Sequence, residues 1–205
     1  MIEARQLIKK FNNEPVVEGF SLSIHPGDFI AITGESGKGK TTILNMIGLL
    51  EKPDGGEIIV EGVTNPNKKQ KMLLQRHKFG YLFQNYALIE NESVEHNLKI
   101  ALEYQKRANK NSAMKEALEF VGLRGMMKKK IYQLSGGEQQ RVALARVYLK
   151  QADYIFADEP TGNLDLKNRD KVFGLLKKMN DEGKAIIFVT HDKELAKQAH
   201  REIIL

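Results

Sequence analysis

The chain of 205 residues contains no cysteine and no tryptophan. The absence of cysteine excludes disulfides, iron–sulfur clusters and cysteine-ligated zinc, and the five histidines show no close metal-ligand spacing. The sequence also lacks any apolar run near the roughly 18 residues that cross a bilayer. Its first five residues lack the charged-then-apolar pattern of a signal peptide. We therefore expect a cytoplasmic location.

Acidic residues are outnumbered by basic ones, 26 against 32, which gives a net charge of +6. A basic balance fits nucleic acid, an anionic membrane surface or phosphate ligands. The basic runs at residues 68–71 and 128–130 are short, which favours solvated faces over a dedicated polyanion site. Hydrophobic residues make up 41% of the chain, enough for a packed core, which disfavours disorder.

Hydrophobic patterning predicts an α/β chain. Short β-branched or apolar runs are typical of strands, and apolar residues at helical spacing are typical of helices. The predicted strands are residues 2–10, 16–25, 28–33, 57–61, 78–83, 154–157, 185–190 and 202–205, and the predicted helices are residues 40–50, 94–105, 113–121, 138–149, 167–181 and 192–199. Buried strands that alternate with helices predict a mainly parallel sheet flanked by helices. Residues 85–150 then form a helical insertion.

Residues 34–41, GESGKGKT, match the pattern G-x-x-x-x-G-K-[ST] between a predicted strand and a predicted helix. The glycines allow successive backbone N–H groups to face phosphate oxygens, and the helix start adds partial positive charge. Lys40 would reach the β- and γ-phosphates, and the Thr41 hydroxyl would bind Mg²⁺. The alternative is a glycine-rich turn without a ligand, which the strand–loop–helix context disfavours.

Two acidic residues, Asp158 and Glu159, end the predicted strand at residues 154–157. Ligands of open α/β sheets bind at the carboxyl edge of the strands. Asp158 therefore suits the outer coordination shell of Mg²⁺, and Glu159 suits the base that polarises an attacking water. Taken alone, the pair is more typical of an ordinary strand end, but the phosphate loop upstream favours the functional interpretation.

Residues 134–141, LSGGEQQR, resemble the signature motif of ATP-binding-cassette (ABC) ATPases. Physically the motif is a hydroxyl and two glycines at a helix start, which makes a second phosphate-facing N-terminus. Because one nucleotide needs only one phosphate loop, the resemblance implies that this second site serves the ATP of another copy. Two chains would pair head to tail, with each ATP between residues 34–42 of one and the signature of the other.

The resemblance extends to other positions. Phe11, which by itself is more typical of a core position, matches the aromatic residue that stacks on adenine. Gln84 matches the glutamine that contacts Mg²⁺ and leads into a transporter-facing loop, residues 85–89. Asp165 matches the aspartate that reaches across the dimer, and His191 matches the histidine that contacts the γ-phosphate and orients the water.

The site residues that the resemblance implies fall into three groups. The catalytic residues are Lys40, Glu159 and His191, and the metal-binding residues are Thr41, Gln84 and Asp158. The nucleotide-binding residues are Phe11, Gly34, Glu35, Ser36, Gly37, Lys38, Gly39, Lys40, Thr41, Thr42, Gln84, Ser135, Gly136, Gly137, Glu138 and Asp165.

For the whole chain, the resemblance implies a P-loop NTPase fold of the ABC ATPase type in one domain, residues 1–205. Its nucleotide-binding core, residues 1–84 and 151–205, would include an N-terminal antiparallel β subdomain, and the inserted helical subdomain, residues 85–150, would carry the signature. The implied function is an ATP-hydrolysing transporter subunit with Mg²⁺ as cofactor. It would form a homodimer around two ATP and drive a separate membrane permease from the inner face of the cell membrane.

The finer resemblance concerns the substrate. Residues 157–165 are similar to the subgroup for lipoprotein release and macrolide export, and residues 48–53 and 80–89 are similar to ATPases of lactococcin-972-type bacteriocin exporters. We therefore expect export of a peptide, lipoprotein or drug-like substrate.

Two features depart from the family pattern. Lys38 stands where the family usually has a small residue. It either adds charge near the phosphates or projects into solvent, and we favour solvent. The sequence ends at Leu205, where many relatives continue, so no further regulatory domain is expected.

Two other function classes fit the sequence less well. ABC proteins that act on nucleic acid or the ribosome carry a long coiled coil between phosphate loop and signature, or two cassettes in one chain. This sequence has no sustained heptads and one copy of each motif. Because only the basic charge supports that class, we expect no nucleic-acid partner. A binding module without catalysis is disfavoured because Gln84, Glu159 and His191 are all present.

Overall fold

The computed structural model describes residues 1–105 and 109–205. The strands in these ranges are β1 Ile2–Phe11, β2 Glu14–Ile24, β3 Phe29–Thr33, β4 Gly55–Val60, β5 Val63–Thr64, β6 Phe79–Leu82, β7 Tyr154–Asp158, β8 Ala185–Val189 and β9 Arg201–Ile204. The helices are α1 Lys40–Ile47, α2 Lys68–His77, α3 Val94–Ala101, α4 Lys110–Phe120, α5 Gly136–Lys150, α6 Leu166–Asp181 and α7 Lys193–Ala196, with a 3₁₀ turn at Ile131–Gln133. Within the described ranges, no helix has both the length and the hydropathy of a bilayer-spanning segment.

Five strands form one parallel sheet in the order β6-β7-β8-β3-β9. Their side chains alternate between two buried faces. In β3, Phe29 and Ala31 join the core beneath the long helices, whereas Ile30 and Ile32 join the core on the opposite face. Burial on both faces explains why these strands are almost continuously apolar. The expected α/β architecture with a parallel sheet is confirmed.

The second sheet is antiparallel, with the order β2-β1-β4-β5. Its first hairpin turns at Asn12 and Asn13, whose φ angles of 51° and 65° are those of the type I′ turns that match hairpin twist. Apolar side chains of β1 and β2 pack with α1 against the parallel sheet. The expected N-terminal antiparallel β subdomain is confirmed.

Helix α5 connects the helical region to the sheet. It packs against α3, α4, α6 and β6. The described apolar residues of these helices share one continuous core with a face of the parallel sheet. Because protein cores are close-packed, the start of α5 is held at a defined place relative to the sheet.

Helix α2 has no counterpart among the predicted elements. None of its residues is buried, so the apolar periodicity that reveals the other helices is missing. Its local signal is a capping box, in which Asn67 Oδ1 accepts from the backbone N–H groups of Lys69 and Gln70, each at 3.0 Å. The basic run at residues 68–71 lies on this exposed helix, in agreement with a solvated face.

Three predicted helices are longer than the observed ones. α1 ends at Ile47 rather than residue 50, because Leu49 adopts a left-handed conformation with φ 58°. α3 ends at Ala101 rather than residue 105. α7 begins after Asp192, whose carboxylate caps it, and ends at Ala196 rather than residue 199. Residues 106–108 of the predicted helical insertion lie outside the described residues.

Asn97 ties α3 to the loop that follows Gln84. Its buried side chain accepts from the Ile89 N–H at 2.8 Å and donates to the carbonyls of Ile89 and Ser93 at 3.2 and 3.0 Å. Asn97→Ala leaves the Ile89 groups unpaired, so we expect it to lower the free energy of unfolding by about 1–3 kcal/mol in urea denaturation. The control Asn111→Ala, at an exposed position of α4, should change it by less than about 0.5 kcal/mol. Equal losses in the two variants would contradict this assignment.

Candidate nucleotide-binding site

The predicted phosphate-loop, catalytic and metal-binding residues follow or end four neighbouring strands of the parallel sheet. β3 leads into the loop at Gly34, β6 into Gln84 and β8 into His191, while β7 ends at Asp158 before Glu159. Because parallel strands end at the same edge of a sheet, these residues lie along one edge. The sheet thus brings together side chains that are far apart in the sequence.

The loop between β3 and α1 turns sharply on glycines. Gly34 and Gly39 have φ angles of 140° and 77°, which glycine adopts without strain. A Cβ atom at Gly39 would lie 2.9 Å from the Val16 carbonyl oxygen, so only glycine lets the loop lie this close to β2. Lys40 Nζ donates to the carbonyls of Gly34 and Glu35 at 2.9 and 2.7 Å, which holds the ammonium group at the loop.

The N-terminus of α1 is open to an anion. Among the described residues, no side chain caps it at Gly39, and its first turn carries no acidic residue. Its first N–H groups, together with the helix dipole, therefore favour a negatively charged ligand. The remaining loop residues that surround this helix start are mostly exposed: Glu35, Ser36, Gly37 and Lys38 are exposed and Thr42 is partly buried. The arrangement is suited to binding phosphate groups.

A hydroxyl and a carboxylate occupy positions where the sequence predicts metal ligands. The Thr41 hydroxyl donates to the Asp158 carboxylate, with distances of 3.0 and 3.1 Å to its two oxygens. Gln84 and Asp158 line one cavity of about 390 Å³. Burial raises the pKa of Asp158, and the hydrogen bond from Thr41 opposes that effect. Hydroxyl, carboxylate and amide oxygens are the donors that a hard cation such as Mg²⁺ takes.

The donor set fits Mg²⁺ in one particular mode. The described residues hold no group of three or more His, Cys, Asp or Glu side chains that is suited to a metal ion. Mg²⁺ usually keeps several waters and binds through one or two carboxylates together with substrate phosphates. One carboxylate at Asp158 beside a phosphate-binding loop fits that mode, so these residues suit the cation together with a nucleotide.

Glu159 and His191 are in direct contact. Glu159 Oε2 lies 2.9 Å from His191 Nδ1, and the side chains are 15% and 70% exposed, respectively. This oxygen is buried and accepts no hydrogen bond from other described residues. Glu159 has φ 44°, a left-handed conformation that is strained for a non-glycine residue and typical of functional sites. A carboxylate held against an imidazole at the strand edge is an arrangement suited to polarising a bound water.

Phe11 ends β1, in the hairpin whose second strand, β2, approaches the phosphate loop at Gly39 through Val16. Phe11 is 48% exposed. Lys9 Nζ lies 5.3 Å from the centre of the ring. An exposed ring in this place is suited to stacking on a planar ligand rather than to core packing.

The signature motif begins α5. Ser135 Oγ accepts from the Glu138 N–H at 3.4 Å and donates to Glu138 Oε2 at 2.8 Å, and the same carboxylate oxygen accepts from the Ser135 N–H at 2.8 Å. These bonds lower the pKa of the Glu138 carboxyl. Gly136 is exposed and Gly137 is buried. Within the described part of the chain, no hydrogen bond or salt bridge joins residues 135–138 to residues 34–42.

Asp165 caps α6 at an exposed position. Its Oδ1 accepts from the Asn168 N–H at 3.0 Å, and its Oδ2 accepts from Asn168 Nδ2 at 2.6 Å. Both bonds lower the pKa of the Asp165 carboxyl. The residue is exposed, so its segment is accessible to a second chain.

Sequence reasoning missed Arg146, which shapes the loop after Gln84. From α5, Arg146 donates through its two terminal nitrogens to the carbonyls of Tyr86 and Ala87. These two residues have φ angles of 61° and 47°, which are uncommon for non-glycine residues. The Tyr86 hydroxyl would be 3.3 Å from a Cβ at Gly136, so the loop reaches the signature. No local pattern reveals this contact, because it spans 60 residues of sequence.

Comparisons with known proteins agree with this geometry. A family model described as ABC transporter matches residues 17–162. The chain is 38% identical over 209 residues to the lipoprotein-releasing system ATP-binding protein LolD of Aquifex aeolicus, covering 99% of this chain and 92% of that protein. It is 38% identical over 207 residues to the macrolide export ATP-binding/permease protein MacB of Campylobacter jejuni. This match covers 99% of this chain but only 32% of that longer protein.

Solved structures give the same result. The dimeric structure of MJ0796, a bacterial ABC transporter cassette, matches with a TM-score of 0.91 and 35% identity over 100% of this chain and 94% of that chain. A dimeric post-hydrolysis state of the ATP-binding cassette MJ0796, bound to ADP and Pi, matches with a TM-score of 0.91 and 34% identity over the same shares of the two chains. This chain therefore belongs to the ABC transporter family, as one of its ATP-binding, ATP-hydrolysing cassettes.

Proposed function

We propose that this chain is the ATPase subunit of a membrane transporter and acts as a head-to-tail pair around two ATP molecules. Residues 1–84 and 151–205 would be its nucleotide-binding core, and residues 85–150 its helical subdomain. The observation that carries the proposal is the separation of two helix starts: α1 begins at the strand edge that holds the Glu159–His191 pair, whereas the exposed signature tip at the start of α5 forms no hydrogen bond to residues 34–42 within the described part of the chain. The chain's own ATP occupies α1, which leaves α5 for the ATP of a second copy.

Each residue near α1 has a chemical task. Lys40 and the N–H groups of the loop stabilise the charge on the β- and γ-phosphates, and Phe11 stacks on the base. Glu159 accepts a proton from the water whose oxygen attacks the γ-phosphorus, while the bond from that phosphorus to the β–γ bridging oxygen breaks. His191, in contact with Glu159, orients the water and faces the γ-phosphate.

The cation and the second copy complete the pocket. Thr41, Gln84 and Asp158 would hold Mg²⁺, which supplies charge neutralisation at the β- and γ-phosphates when bound. Ser135 to Glu138 and the Asp165 segment of a second copy close the pocket from the other side. ATP therefore closes the pair, and loss of the γ-phosphate removes the contacts that the two copies share.

A groove beside residues 85–89 is the place where we expect the membrane partner to bind. The groove has a volume of about 440 Å³ and is lined by residues of α2, β6, α3 and α5 and of the segments next to them. Met72, Ile100 and Val147 contribute apolar surface, and Ile100 is 46% exposed. Exposed apolar side chains in a concave surface mark an interaction site.

The same groove is cationic. Arg76, Arg146 and Lys150 line it, and none of its described lining residues is acidic. Burial lowers the pKa of Lys150 to about 8, and the nearby charge of Arg146 adds to that effect. A carboxylate in the groove would favour the charged form of this lysine. We therefore propose that the occupant is an amphipathic segment of a permease that carries an acidic residue.

The substrate class follows from similarity alone. The names of the relatives LolD and MacB refer to lipoprotein release and macrolide export. They support export of a peptide, lipoprotein or drug-like substrate by the complex of this chain, with a bacteriocin peptide among the substrates to test. In that complex the chain lies on the cytoplasmic face of the cell membrane, bound to its permease.

Glu159→Gln tests the catalytic base. Because an amide cannot take up the proton of the attacking water, we expect kcat to fall by about 10²- to 10⁴-fold, and ATP to remain trapped in a stable dimer. Phosphate release and size-exclusion chromatography in ATP measure the two effects. The control Glu182→Gln, at an exposed position after α6, should behave as wild type. Normal hydrolysis by the Glu159 variant would show that the base is another group.

Lys40→Ala tests the phosphate loop. The loss of a charge-assisted hydrogen bond to phosphate should weaken ATP binding by about ten- to a hundredfold, as measured by titration calorimetry. Lys38→Ala removes the same kind of side chain from an exposed position of the same loop and should change the affinity by less than about twofold. Equal losses in the two variants would contradict the separate roles of these lysines.

Ile100→Glu tests the groove. The new carboxylate would pair with Lys150 in place of the acidic group of the permease, so we expect the reconstituted complex to dissociate in size-exclusion chromatography. ATP hydrolysis by the isolated chain should be unchanged. Val63→Glu, at a 37% exposed position of β5 outside the groove, is the matched control and should leave the complex intact. A stable complex of the Ile100 variant would show that the permease binds elsewhere.

A further inference from the structure

Lys9 is a buried cation beside the Phe11 ring. It is 8% exposed, and its Nζ lies over the ring, 5.3 Å from the ring centre. A lysine is almost never buried to this degree unless its charge is paired. The groups around Lys9 must therefore compensate its charge, and they determine where the ammonium group lies.

The segment between α1 and β4 holds this ammonium group. Lys9 Nζ donates to the Lys52 carbonyl oxygen at 2.9 Å. It also forms ion pairs with Glu51 Oε1 at 2.7 Å and with Asp54 Oδ1 at 3.4 Å. An ammonium group has three donors, so these three oxygens use all of them. The cation is therefore fixed to residues 51–54 and not free to follow the ring.

The same segment holds the strand that carries the ring. The Asp54 N–H donates to the Ile8 carbonyl oxygen at 2.8 Å, and Asp54 Oδ2 accepts from the Lys10 N–H at 2.8 Å. On its other edge, β1 pairs with β2 with shifts of register between Leu7 and Lys10. Irregularities of this kind change the direction of the side chains that follow. Residues 51–54 therefore fix both the cation and the strand end at Phe11.

We propose that Lys9 is a positioning residue that presents the Phe11 ring to the base of the nucleotide. A cation within about 6 Å of a ring centre is attracted to the face of the ring. Because the ammonium group is fixed, this attraction restricts the orientation of a residue that is otherwise 48% exposed. A ring that is already ordered loses less conformational entropy when a planar base stacks on its free face. The inference deepens the proposed function and rests on the stacking of Phe11 on the base.

The experiment separates the base from the phosphates by comparing two ligands. ADP carries both, whereas inorganic pyrophosphate carries the phosphates alone, and neither has a γ-phosphate to hydrolyse. Calorimetry gives the affinity for ADP, and competition against ADP gives that for pyrophosphate, both with Mg²⁺ and the full chain. Lys9→Met keeps the apolar stem without the charge. The control Lys10→Met makes the same change at an exposed position of the same strand.

Two further variants complete a double-mutant cycle. Phe11→Leu removes the ring, and the double variant Lys9→Met/Phe11→Leu removes both groups. Leucine cannot stack on a base as an aromatic ring does, so Lys9 has nothing to orient in this background. The cycle therefore isolates the part of the Lys9 effect that acts through the ring.

We expect Lys9→Met to weaken ADP binding by about 2- to 10-fold and to leave the affinity for pyrophosphate unchanged. Phe11→Leu should also weaken ADP binding, and the addition of Lys9→Met should cause no further loss. Lys10→Met should bind both ligands as wild type does. A merely structural role of Lys9 would instead lower the affinity for both ligands, or cost the same in the two backgrounds.

A second variant carries the test if the melting temperature shows that Lys9→Met does not fold. Glu51→Ala removes the shortest ion pair of the Lys9 ammonium group, through a side chain that is 39% exposed. Because the ammonium group is then held less firmly, ADP binding should weaken by at least about twofold. The affinity for pyrophosphate should again be unchanged.

Three results would overturn the proposal. If Lys9→Met, or Glu51→Ala in its place, binds ADP as Lys10→Met does, or loses affinity for both ligands equally, Lys9 does not position the ring. The same conclusion follows if the loss persists in the Phe11→Leu background, and in each of these cases the proposed function stands. If wild type does not bind ADP, or if Phe11→Leu binds it as wild type does, the proposed nucleotide site itself is wrong, and this inference fails with it.

Discussion

A parallel sheet that is buried on both faces leaves only its strand ends open to ligands. This constraint determines where the candidate functional side chains lie. The strands β6, β7, β8 and β3 are neighbours, so the residues that follow them meet at one edge. The hydrogen bond between Thr41 and Asp158, 117 residues apart in sequence, exists because β3 and β7 end at that edge. The same edge supplies the phosphate loop, the carboxylate that we propose as the base and an imidazole from three separate segments.

The position of the signature does not depend on the strand ends, because the signature lies at the start of a helix. Ser135 and Glu138 hydrogen-bond to each other at the start of α5. The hydrogen bonds of Arg146 to the Tyr86 carbonyl and of Arg141 to Asn168 connect α5 to the rest of the chain. A tip that these contacts fix in place, and that forms no hydrogen bond to its own phosphate loop within the described residues, is suited to a second copy's nucleotide. The two constraints together explain why the proposed pocket needs two chains.

The parts that local patterns encode could be predicted from the sequence. Continuous apolar strands, the glycine loop and the Asp158–Glu159 strand end each lie within a few residues, and they predict the sheet and most of the site. α2 escaped prediction because it buries no side chain and so has no apolar period. The sequence did not predict the contacts of Arg146 and Asn168, because these contacts span 60 and 27 residues. Hydrophobic periodicity gives no information on side-chain pairs that are so far apart in the sequence.

The most direct measurement is a mixing experiment that divides the composite pocket between two chains. One chain carries Lys40→Ala in its phosphate loop. The other carries Gly136→Asp, which suits the N-terminus of α5 but repels a partner's phosphate. Both also carry Glu159→Gln, so that bound ATP is not hydrolysed. Neither variant alone should pair in ATP, whereas the mixture should form a dimer that retains one ATP. A mixture that stays monomeric in ATP, while the Glu159→Gln chain alone pairs normally, would contradict the account.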